Sequence, residues 1–80
     1  MLRQDILKEA IEILKVREAE HGSPHDTFNH LAARWNMTSS QVCMLLAELK
    51  IERWRSNPDS KDNYLDAIGY IALAYELQNV

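Results

Sequence analysis

Lys50 and Arg53, followed by Asp62 and Asp66, are the side chains of this 80-residue chain whose types and spacing best fit chemistry. The two cations lie on the apolar side of the run from Val42 to Trp54, and the two carboxylates lie one helical turn apart just after Asn57-Pro58. Carboxylates at that spacing can share a divalent cation, and lysine or arginine beside them can hold phosphate oxygens. The same charges also suit a purely structural role. A cation on an apolar surface needs a counter-charge, which Asp66 is placed to give Lys50 or Arg53, while Asp62 suits the positive end of a helix. Glu48 and Glu52 form a second acidic pair, on a stripe shared with Gln41 and Arg55 at about 100° per residue, where they read first as a solvated face.

Four helices must position these groups. From Leu2 to Glu20 apolar residues recur at helical spacing over an arc too wide for one neighbour, so helix one should meet two others or a second subunit. Gly22 ends it, and Ser23-Pro24 opens helix two, Ser23 as cap and Pro24 at the first position, where its missing N–H needs no partner. There Phe28, Leu31, Ala32 and Trp35 form a narrow stripe for the edge of the core. Thr38-x-x-Gln41 reads as a capping box for helix three, whose segment from Val42 to Leu49 is apolar almost all round, as a central element would be. The chain then breaks at Ser56-Asn57-Pro58 and returns as helix four, which runs to about Gln78. Gly69 inside that helix costs about 1 kcal/mol relative to alanine, which implies close approach of another helix or a ligand beside Tyr70.

The expected fold is all-α: residues 1–80 form one domain, a small four-helix bundle. Helices three and four make an antiparallel hairpin turned at Pro58 and covered by helix one. Gly22, Pro58, Gly69 and Tyr70 are its structural positions. Helices one, three and four carry more apolar surface than one small bundle can cover, so a homodimer is expected.

Composition narrows the partners. A formal charge of −3 gives no overall basic field for nucleic acid. Leu31 to Val42 has helix-turn-helix spacing, but the side chains it would present (Thr38, Ser39, Ser40, Cys43 and Met44) include no lysine or arginine, so nucleic acid is not an expected partner. The single cysteine, Cys43, cannot form an internal disulfide, which fits a reducing cytoplasm. Charges at Arg3, Asp5, Lys8 and Glu9 interrupt any signal-peptide core, and the run from Val42 to Ala47 is too short to span a membrane. A soluble, cytoplasmic protein with no membrane association is expected.

The pattern Lys50-x-x-Arg53, Asn57-Pro58, Asp62-x-x-x-Asp66-x-x-Gly69-Tyr70, with Glu20-His21-Gly22-Ser23-Pro24, Phe28-Asn29 and Ala32-Ala33-x-Trp35, resembles a family of small phage and prophage proteins of mostly unassigned function. More distantly, the last helix pair resembles the all-helical MazG-type nucleotide pyrophosphohydrolases, in which acids from two adjacent helices hold Mg²⁺ against a nucleoside triphosphate. That resemblance implies Asp62, Asp66, Glu48 and Glu52 as Mg²⁺ ligands, with Lys50 and Arg53 facing phosphate. Both acidic pairs here are spaced x-x-x, where the superfamily has x-x. Two functions lead: a phage-type protein with metal-dependent nucleotide binding or pyrophosphohydrolase-like activity, and a non-catalytic helical interaction protein acting on a host or phage protein; helix-turn-helix DNA binding is a distant third.

Overall fold

Thr38 and Gln41 cap each other reciprocally: Gln41 N–H donates to Thr38 Oγ1 at 3.1 Å, and Thr38 N–H donates to Gln41 Oε1 at 2.9 Å. This capping box opens α3 (Ser39–Ser56) in the computed structural model, which describes residues 1–78. Before it come α1 (Arg3–His21) and α2 (Pro24–Trp35), and after it α4 (Lys61–Gln78). Ser23 caps α2 by accepting from His25 N–H, with Pro24 in the first turn, and Asn36 in the left-handed conformation closes it. All four expected helices are present, and the described residues hold no strand.

The closest packing is between α3 and α4, and the turn that joins them is tied by side chains. Trp54 Nε1 donates to Tyr64 Oη at 2.6 Å, and Tyr64 in turn donates to the Pro58 carbonyl at 3.1 Å. Further along the hairpin, Ser40 Oγ donates to the Ala74 carbonyl at 2.8 Å, joining the start of α3 to the end of α4. The core is built by α2, α3 and α4: Phe28 and Ala32, then Val42 and Cys43, then Ala74 and Leu77. Tyr70 packs edge-to-face on Phe28, ring centroids 6.3 Å apart.

Three expectations change. Helix α1 rests on α4 rather than covering the hairpin; it buries only Ala10 and leaves Leu7, Ile11 and Val16 half exposed or more. Helix α3 is enclosed on one side only, through Val42, Cys43 and Ala47, while Met44, Leu45 and Leu49 stay exposed. Trp35, placed by its spacing on the core's edge, is mostly in solvent. The common cause is size: with 80 residues there are too few elements to give each apolar arc a neighbour.

The two glycines differ in kind. Gly22 has φ +80° and ψ −158°, a region that side-chain-bearing residues rarely adopt, and its N–H caps α1 on the Glu18 carbonyl at 2.9 Å. Gly69 is helical, and a Cβ there would lie 3.5 Å from Leu14 Cδ2, an ordinary contact, so packing does not demand glycine. Gly22→Ala should therefore destabilise the protein by about 1–3 kcal/mol through backbone strain alone. Gly69→Ala should stabilise it by up to about 1 kcal/mol. Urea unfolding of the two variants measures both signs.

Candidate functional site

Asp66 lies in the second turn of α4, where α1 and α3 both come within reach. Lys50 Nζ on α3 is 3.1 Å from its Oδ2, and Arg17 Nη2 on α1 is 2.8 Å from its Oδ1. The side chains of Asp66 and Lys50 are 13% and 17% exposed, and that of Arg17 is 49% exposed. Burial pushes the Asp66 carboxyl upward, but the hydrogen bonds and positive charges of Arg17 and Lys50 outweigh it and hold the group below its ordinary value. Asp66 is thus a carboxylate with a cation on each oxygen.

Of the four charges singled out from the sequence, the fold joins Lys50 and Asp66. Arg53 lies in the last turn of α3, about 60° round from Lys50 at 100° per residue; it is exposed and takes no part in the Asp66 cluster. Asp62 is exposed in the first turn of α4, where it favours the helix dipole. Glu48 and Glu52 are exposed on α3. Among the described residues no group of three histidine, cysteine, aspartate or glutamate side chains is arranged to hold a metal ion. The four acids that resemblance would make Mg²⁺ ligands are therefore not gathered into one site.

Arg17 is the member that sequence reasoning missed. It follows Ala10 and Leu14 at i+7 and i+3, the spacing of one helical face, and Ala10 is the buried residue of α1. A cation in register with a buried stripe is the signal that could have found it. Two further pairs join distant helices: Lys61 Nζ to Glu9 Oε1 at 3.0 Å, and His25 Nε2 to Glu76 Oε2 at 2.6 Å.

The side chains a helix-turn-helix would present are largely engaged inside the molecule. Ser39 Oγ donates to Asn29 Oδ1 at 2.5 Å, Ser40 reaches α4, and Cys43 is fully buried. Burial pushes the Cys43 thiol up to about 11, which suits a core residue and not a nucleophile.

Arg17 and Asp66 also stand on the wall of a cavity of about 470 Å³ between α1, the α1–α2 turn and α4. His21 to Pro24, Phe28, Gly69 and Tyr70 line it too, so two sequence patterns more than forty residues apart meet around one hollow. Lys50, Arg53, Asp62, Glu48 and Glu52 are not on its wall.

A family model described as a domain of unknown function (DUF6378) matches residues 5–78. No curated protein and no solved structure matches the chain. No helix among the described residues is long and apolar enough to cross a membrane.

Replacing Asp66 by asparagine should cost about 1.5–3 kcal/mol, the range for hydrogen bonds to charged groups. Because Lys50 is the better shielded cation, Lys50→Ala should cost more than Arg17→Ala, which should fall within the roughly 0.2–1 kcal/mol of an exposed pair. A carboxyl depressed by folding contributes stability that is present above its unfolded pKa of about 3.9. That contribution disappears as the pH falls through the lower folded value. Wild-type stability should therefore drop across this acid range more steeply than that of Asp66→Asn, as read by urea titrations at a series of pH values.

Proposed function

The chain belongs to the DUF6378 family, a domain of unknown function, and from its geometry we propose that it is a non-catalytic helical interaction protein that acts as a homodimer. The observation that carries this is the state of Asp66. Both of its oxygens are already engaged by cations from other helices, as in a clamp that fixes α1 and α3 against α4. A metal would have to displace Lys50 or Arg17, and the remaining acids do not stand ready beside it.

The outer surface supports self-association. A monomer of 9.3 kDa should expose about 5,000 Å², whereas this chain exposes 5902 Å². The excess, about 900 Å², is close to the roughly 800 Å² that one partner contributes to a standard interface. On α4, Tyr64, Ile68, Ile71 and Tyr75 recur at i, i+4, i+7 and i+11, the spacing of a helix–helix seam. Tyr64 and Ile71 are 43% and 47% exposed, and Met44 and Ile51 on neighbouring α3 are comparably so. A second copy seated on this hairpin face would cover both rows.

Light scattering on a sizing column should give twice the chain mass for the wild type and the monomer mass for Ile71→Glu, with helicity retained by circular dichroism. A wild type that runs as a monomer at about micromolar to millimolar concentration would overturn the dimer. The competing nucleotide reading has its own test: Mg²⁺ or Mn²⁺ with a panel of nucleoside triphosphates. Metal-dependent pyrophosphate release that vanishes in Asp66→Asn would replace the clamp with catalysis.

A further inference from the structure

The cavity beside Arg17 and Asp66 has walls of two sorts. Its apolar part is formed by Leu14, Phe28, Gly69, Tyr70 and Leu73, and the absence of a side chain at Gly69 keeps the α4 wall low. Its charged part holds three carboxylates, Glu18, Asp66 and Glu76, against the single permanent cation Arg17. Arg17 is already bound to Asp66, which Lys50 neutralises further from outside the cavity. His25 is hydrogen-bonded to Glu76, and His21, three-quarters exposed, lies nearest Glu20 at 3.7 Å. Glu18 forms none of the ion pairs that tie up the other acids of this wall.

These charges decide what the cavity can hold. With the histidines counted as neutral, Arg17, Lys50 and the three carboxylates sum to a formal charge of −1, and Arg17 already gives one N–H to Asp66, so the cavity favours a cation over phosphate or polyphosphate. A cation carrying N–H donors finds the Glu18 carboxylate and the second oxygen of Glu76, in hydrogen bonds strengthened by charge. Its apolar portion finds the Phe28 and Tyr70 rings, and the volume of about 470 Å³ lies within the range usual for small-molecule pockets. The geometry points to this cavity as a binding site for a small organic cation, an ammonium or guanidinium joined to a flat apolar body. The site lies between α1, α2 and α4, and its occupancy is independent of the dimer face on α3 and α4.

Three matched probes test it: tryptamine, its neutral alcohol analogue tryptophol, and the anion indolepropionate. In heteronuclear NMR titrations of the full chain, tryptamine should shift the amides of Gly69 and Tyr70 saturably, tryptophol should bind more weakly, and indolepropionate should not bind. Glu18→Gln, a change at an exposed side chain, should weaken tryptamine about fivefold or more. Asp59→Asn, which removes an equal charge away from the cavity, should leave its affinity unchanged. Absence of saturable shifts up to about 5 mM tryptamine, equal binding of indolepropionate, or equal losses from Glu18→Gln and Asp59→Asn would each overturn the assignment.

Discussion

Asp66 holds a cation on each oxygen, Arg17 from α1 and Lys50 from α3, and through that one carboxylate three helices share a fixed point. Burial alone would disfavour its ionised form, and the two cations together outweigh that cost. The partners are unequal. Lys50 is drawn nearly out of solvent along the hairpin's inner side, while Arg17 reaches over from a surface helix and keeps half its side chain in water. The better shielded pair therefore belongs to the hairpin, and the more exposed one attaches α1 to the unit formed by α2, α3 and α4.

That division follows from how little apolar material the chain can enclose. Its core cluster is drawn from α2, α3 and α4 alone, and two of its members are alanines. Folded domains of this length retain roughly 4–12 kcal/mol in total, so a charge-assisted bond of 1.5–3 kcal/mol is a sizeable share. The same shortage leaves apolar rows on the outside of α3 and α4. A second copy would supply the neighbours that the chain itself is too short to provide.

Local signals in the sequence were enough to give the helices and their ends. Thr38 and Gln41, Ser23 and Pro24, and Gly22 each act within a few residues of themselves, and each sits where its chemistry requires. The convergence of Lys50 on Asp66 was also legible, because the break at Asn57-Pro58 lies between two apolar helices that bury their faces by folding back on each other. What could not be read was the third dimension of the cluster. Arg17 is separated from Asp66 by 49 positions, and only the direction in which α1 leans decides that it arrives. The enclosure of α3 was overestimated for a related reason: an apolar arc records that a partner is wanted, not that the same chain supplies it. Gly69 misled in the opposite direction, since its spacing suggested forced close approach where Leu14 leaves room for a methyl group.

Charge and apolar packing together position α1. Its contact with α4 has Ala10 buried and Leu14 lying over a glycine, with Leu65 and Leu73 one turn to either side. Two charged links add to this fit: Glu9 with Lys61 and Arg17 with Asp66. Both run in the same chain direction, so α1 and α4 lie side by side with the same polarity. The links are eight residues apart on α1 and five apart on α4, about 12 and 7.5 Å along the respective axes at 1.5 Å per residue, a difference that the long Glu9, Lys61 and Arg17 side chains can span. A slip of one turn, about 5.4 Å, would break both links at once and would move Leu14 off Gly69 onto Leu65 or Leu73. The carboxylate at Asp66 thus adds a charged constraint to the register that Leu14 takes over Gly69, and it does so through oxygens committed to Arg17 and Lys50.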